Sequence, residues 1–139
     1  LMRMLNCASD SENLDMSFVA VRHFSGSLTV DRSLLRKATF HFFRVLVRGI
    51  VGLKWMDTQC GAKVISGRSY RAVSERLVED GFVFDVELLA TLEQGAWPIT
   101  ELPIMWQEIP GSKLRLWRDL WLMTGGLMRI RRRLNTSDL

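Results

Sequence analysis

The sequence predicts an α/β fold. Three observations carry that prediction. Short apolar runs at residues 17–21, 63–66 and 99–106 have strand composition. Longer segments between them repeat their apolar residues at helical spacing. Gly or Pro stands at most of the joints, as at Gly52, Gly61, Gly81, Gly95 and Pro110-Gly111.

Taken in order, Ser9 to Asp15 is polar and reads as a loop. Ser17-Phe18-Val19-Ala20-Val21 reads as a short buried strand ending at Arg22, and His23 to Thr29 as a loop. Asp31 is placed to cap a helix from about Arg32 to Leu53, weakened near its end by Gly49 and Gly52. Lys63-Val64-Ile65-Ser66 reads as a strand, and Ser69 to Val78 as a helix with Tyr70, Val73 and Leu77 on one face. Gly81 to Phe84 interrupts. Asp85 to Leu92 starts a new helix with acids in its first turn, where the helix dipole favours them, and Gly95 ends it. Ile99 to Trp106 reads as a strand whose Pro103 argues for an edge position. Pro110-Gly111-Ser112 is a turn, and Leu114 to Arg133 a last helix with a weak point at Gly125-Gly126. Three short strands make a meagre sheet, which points to missing partner strands.

The 139 residues suit one core, and 47% apolar content excludes a disordered chain. Cys7 and Cys60 lie too far apart in sequence to suggest a disulfide framework. No apolar run reaches the ~20 residues of a membrane span, and no signal peptide is visible. The chain starts at Leu1, as a fragment would. Its net charge of +4 is uneven: residues 1–110 carry 12 basic and 13 acidic residues, residues 111–139 seven basic and two acidic. The tail's basicity suggests an anionic surface as partner, phospholipid or nucleic acid. No helix-turn-helix, zinc or aromatic-sheet signature supports nucleic acid, so none is expected.

The densest chemistry lies in Asp57-Thr58-Gln59-Cys60-Gly61-Ala62-Lys63. The plainer account is a turn in which Asp57 caps and Gly61 relieves the backbone; it leaves the crowding of Gln59, Cys60 and Lys63 unexplained. The functional account makes Asp57 a carboxylate facing a reacting hydroxyl or phosphate. Asp85 and Glu87 are two apart and so do not share a helix face; one can enter a cleft while the other caps. Arg22 at a strand end and Arg36 on the following helix are candidates for a phosphate, which guanidinium groups grip at two points. Arg44 and Arg48 read as surface residues of a core helix. Ser112-Lys113 after a Pro-Gly turn is a weak phosphate-binding signal. His23 and His41 show no metal-ligand spacing. In the last segment Trp117, Leu120, Trp121, Thr124 and Met128 keep helical spacing among arginines. That pattern fits an interfacial helix, and equally a helix packed on the core with a solvated basic end.

Together with Gly81-Phe82-Val83-Phe84-Asp85-Val86-Glu87-Leu88-Leu89, Glu101-Leu102-Pro103-Ile104-Met105-Trp106 and Gly111-Ser112-Lys113-Leu114, the loop resembles the polyprenyl-phosphate glycosyltransferases, in particular the dolichyl-phosphate β-glucosyltransferase-like members, over residues 17–133. The resemblance implies a partial GT-A-like domain lacking its N-terminal nucleotide-binding half. Residues 1–110 would form the acceptor side, and residues 111–139 a substrate-closing loop with a basic amphipathic juxtamembrane helix. It implies inverting transfer of a hexose, glucose by the closer match, from a nucleotide-sugar to a polyprenyl or dolichyl phosphate at the cytosolic face of a membrane. By that resemblance Asp57, Asp85 and Glu87 are catalytic, and Arg22, Arg36, Ser112 and Lys113 bind the acceptor phosphate. The family's divalent cation, Mg or Mn, sits at a DxD motif; Asp10-Ser11-Glu12 is only a look-alike, so no metal site is expected here and no activity from this chain alone. The nucleotide-sugar would be held by the missing half, the anionic membrane surface by the tail, and a homo-oligomer is left open. The alternative is a non-catalytic membrane-surface or interaction module derived from such an enzyme.

Overall fold

The computed structural model of the chain describes residues 15–23, 34–105 and 116–136. Its elements are β1 (Ser17–His23), α1 (Leu34–Leu46), β2 (Lys63–Val64), α2 (Gly67–Val73), α3 (Phe84–Gln94), β3 (Ile99–Met105) and α4 (Leu116–Thr136). Mixed α/β architecture is thus observed, with one three-stranded sheet and four α-helices among the described residues. The expected cap at Asp31, the turn at Pro110-Gly111-Ser112 and the loops at Ser9–Leu14 and Phe24–Thr29 lie outside the described residues.

The strand order is β2-β1-β3. β3 runs parallel to β1, with Ser17 opposite Ile99 and His23 opposite Met105. β2 is antiparallel, with Phe18 opposite Val64 and Val19 opposite Lys63. The central strand is buried where its sequence is most apolar, at Phe18, Val19 and Ala20. Pro103 lies on β3, an edge of the described sheet, where a residue without an N–H costs no ladder bond. β2 is shorter than the sequence suggests because Ser66 already accepts from Ser69 as the N-cap of α2. Ser17 holds that corner: its hydroxyl accepts the Ser66 N–H at 3.1 Å and meets the Ser69 hydroxyl at 3.3 Å.

The main core joins β1 to three helices through Val19, Phe43, Val47, Val51, Val86, Leu89, Leu127 and Ile130. Helix α1 does not end cleanly at Leu46. It widens into a π-helical turn, Val47–Val51, closed by the Gly52 N–H on the Val47 carbonyl at 3.2 Å. Gly52 takes a positive φ of 89°, which favours glycine and turns the chain toward the motif loop. The last helix runs unbroken through Gly125-Gly126, against the expected weak point. A Cβ on Gly126 would fall 2.7 Å from Val83 Cγ2, so this glycine lets α4 pack closely on the turn before α3.

Candidate functional site

The site is built where the Asp57–Lys63 loop crosses the end of β1. Cys60 anchors the loop: its side chain is buried with Phe18 and Ala20 under the sheet. The Ala20 N–H then bonds the Ala62 carbonyl at 3.0 Å, and the loop re-enters the sheet as β2. Apolar packing under the middle of the loop sets its polar residues to either side, with Asp57 and Thr58 buried and Gln59 and Lys63 half-buried.

Asp57, only 4% exposed, receives Arg22 at two points, Nε at 2.6 Å and Nη2 at 2.9 Å. Such fork-to-fork pairing fixes the guanidinium plane as well as neutralising the acid. At the other end of the loop, Lys63 Nζ lies 3.1 Å from Asp85 Oδ2 and also donates to the Cys60 carbonyl. Gln59 Nε2 donates to the Phe82 carbonyl at 2.8 Å, which ties the loop to the entry of α3. Asp85 is the most accessible of these carboxylates, at 32%. Arg22, Asp57, Lys63 and Asp85 therefore share one loop system, and their formal charges cancel.

Glu87 does not join them. It is buried, and its Oε2 accepts the N–H groups of Val78 at 2.9 Å and Glu79 at 2.7 Å. Its Oε1 lies 2.6 Å from Arg133 Nη2. Glu79 in turn takes Arg129 at 2.9 and 2.6 Å and Arg133 at 2.7 Å. These four charges staple α4 to the segment between α2 and α3. Hydrogen bonding from Arg129 outweighs burial and holds the Glu79 carboxyl below its ordinary value. Hydrogen bonding to Glu79 likewise raises Arg129. Burial opposes the Arg133 charge, yet its bonds to Glu79 and Glu87 raise it overall.

Arg36 falls on α1, with its side chain outside the described residues; Ser112 and Lys113 lie outside them altogether. Sequence reasoning missed the assignment of Lys63 and the whole Glu79-Arg129-Arg133 cluster. For Lys63 a signal existed, a cation two residues after the turn glycine. For the cluster the only signal was a pair of arginines at i and i+4 with no acid within a turn of them on their own helix, whose one acid, Asp119, lies ten residues before Arg129. Among the described residues no group of three His, Cys, Asp or Glu side chains is placed to hold a metal ion, and no helix is long and apolar enough to cross a membrane.

Comparison with known proteins bears on what this arrangement belongs to. The chain is 36% identical over 104 residues to the dolichyl-phosphate beta-glucosyltransferase of Saccharomyces cerevisiae, covering 73% of this chain and 30% of that protein. It is 32% identical over 125 residues to the Dictyostelium discoideum protein of the same name, covering 90% and 35%. Against the Homo sapiens protein of that name it is 34% identical over 104 residues, covering 74% and 32%. No family model matches, and no solved structure matches. The mixed α/β fold is consistent with a segment of a glycosyltransferase. More narrowly, the chain is a relative of the dolichyl-phosphate β-glucosyltransferases and spans about a third of the length of the relatives it matches.

Proposed function

We propose that this chain is the acceptor-phosphate side of a glucosyltransferase of GT-A type. It would act on a dolichyl or related polyprenyl phosphate, with the sugar coming from a nucleotide-sugar held by a part of the enzyme that this segment does not supply. The observation that carries the reading is the two-point Arg22–Asp57 pair at the end of the central strand, joined through one loop to Lys63–Asp85.

A lipid phosphate is already anionic at neutral pH, so it needs alignment with the sugar carbon more than deprotonation. Asp57 is buried and bonded at both oxygens, which suits it to positioning Arg22 rather than to accepting a proton. Asp85, more exposed, is the carboxylate able to meet an incoming sugar or phosphate hydroxyl. Glu87 supports the site from behind by holding Val78 and Glu79. The four described charges of the loop system cancel, so net attraction for phosphate falls to Arg36 and Lys113, with the neutral Ser112 adding a hydroxyl donor. Among the described residues no three His, Cys, Asp or Glu side chains are placed to hold the divalent cation expected for the reaction. The reaction would take place at the cytosolic membrane face, with the basic α4 toward an anionic surface.

Binding of a short-chain polyprenyl phosphate to the 139-residue chain, against the matching polyprenol, tests this directly. Preference for the phosphate that falls at least tenfold in Arg22→Ala supports the reading; equal binding of phosphate and alcohol sinks it. The chain alone is expected to transfer no sugar, and metal-dependent transfer by it would overturn the assignment of the donor half elsewhere.

A further inference from the structure

A recess lies away from the motif loop, between the segment after α2 and the last turns of α4. It has a volume of about 440 Å³, within the range of small-ligand sites. Arg76, Arg132 and Arg133 stand around it with one acid, Glu87, which is paired with Arg133, and Val78, Ile130 and Leu134 supply apolar wall. Arg133 is engaged by Glu79 and Glu87, and Arg76 donates to the Gln94 side chain. Arg132 has no carboxylate partner among the described residues. Arginine in the last turns of a helix is favoured by the dipole alone, which would explain Arg132 without any ligand. It would not explain why Arg76, from a different element, converges on the same recess, nor the apolar wall beside the charges.

The outer face of α4 says what kind of anion fits. Trp121 is 79% exposed and Met128 52% exposed. Seven and eleven residues separate Trp121 from Met128 and Arg132, which puts all three within about 20° of one line along the helix. One stripe therefore runs from a large exposed aromatic, through an exposed thioether, to the arginine at the recess. An aromatic with a cationic end on one stripe is the pattern of a helix lying at a lipid–water boundary.

We propose that the Arg76–Arg132 recess binds the phosphate headgroup of an anionic phospholipid, with the Trp121–Met128 stripe lying on the bilayer. The lipid here is a docking ligand, distinct from the acceptor at the motif loop. The inference deepens the membrane-surface part of the proposed function, and it is read without sugar transfer, so either reading can fail while the other stands.

The test is sedimentation of the full 139-residue chain with phosphatidylcholine vesicles, with and without phosphatidic acid. Each lost basic contact weakens anionic-bilayer binding by about fivefold, so Arg76→Gln with Arg132→Gln is expected to lose at least about tenfold. A control that removes two charges on α2, Arg68→Gln with Arg71→Gln, is expected to lose much less; an equal loss would reduce the recess to general basicity and overturn the proposal. Trp121→Ala is expected to weaken binding to the same vesicles, with folding followed by circular dichroism. Inorganic phosphate is the competing source of the same chemistry: if it blocks the vesicles at millimolar concentration, the recess is a soluble-phosphate site and the lipid assignment is wrong.

Discussion

Arg22 and Asp57, 35 positions apart in sequence, meet in a two-point ion pair with contacts of 2.6 and 2.9 Å. The pair links the end of the central strand to the start of the motif loop, so its loss should be felt in stability and in ligand binding together. Removing one partner of a buried pair costs about 3–5 kcal/mol, and the partial exposure of Arg22 puts Asp57→Ala at the lower end. Urea unfolding should show that loss, and a double-mutant cycle with Arg22→Ala should return a coupling above about 1 kcal/mol. Additive single effects would mean that the two side chains do not act as a pair.

Glu87→Ala should destabilise by about 2–4 kcal/mol, since it strands the N–H groups of Val78 and Glu79 and removes one partner of Arg133. Glu87→Gln keeps an acceptor for the backbone and should recover part of the loss. An unchanged unfolding midpoint in Glu87→Ala would return this residue to the list of candidates for direct chemistry.

Acid should weaken the α4 staple. The Glu79 carboxyl is held below its ordinary value of 4.5 by Arg129, against the opposing effect of burial, with Arg133 adding to the lowering. Its contribution to stability is therefore complete above about pH 4.5 and is lost as pH falls from there through the folded-state value. Unfolding midpoints measured from neutral to acid pH should fall in that window, and Glu79→Gln should flatten the fall. A variant with the same acid slope as the parent would contradict the assignment.

Two adjacent glycines of α4 should respond to alanine with opposite signs. At Gly125 the nearest atom to a new Cβ is the far end of Arg129, at 3.6 Å, so helix propensity decides and Gly125→Ala gains about 0.5–1 kcal/mol. At Gly126 the Cβ meets Val83 Cγ2 at 2.7 Å, and overpacking of about 1–3 kcal/mol outweighs that gain. Val83→Ala should partly rescue Gly126→Ala in thermal unfolding.

The elements were legible in the sequence where local pattern decides them. Phe18 to Val21 announced β1, the acids at Asp85 and Glu87 announced the start of α3, and Gly95 its end. β1 extends to His23 because β3 pairs with it along the whole length, which no local pattern reports. Gly125-Gly126 read as a break because propensity favours one; tertiary contact with Val83 reversed it. In the site, Asp57 and Arg22 were both singled out, but their direct contact depends on a register between distant segments. The staple made by Glu79, Glu87, Arg129 and Arg133 spans 46 to 54 positions and left almost no local trace.

The parallel pairing of β1 with β3 has a consequence for how the chain reaches this structure. Ser17 lies opposite Ile99, so the sheet closes only after about eighty intervening residues have been brought round. Pairings of such long range slow folding, while α2 and α3 need only near neighbours. The apolar β1 segment must therefore wait, unpaired on its β3 side, until the later strand exists. During synthesis it is the stretch of this chain most exposed to wrong partners, and the one a chaperone would be expected to hold.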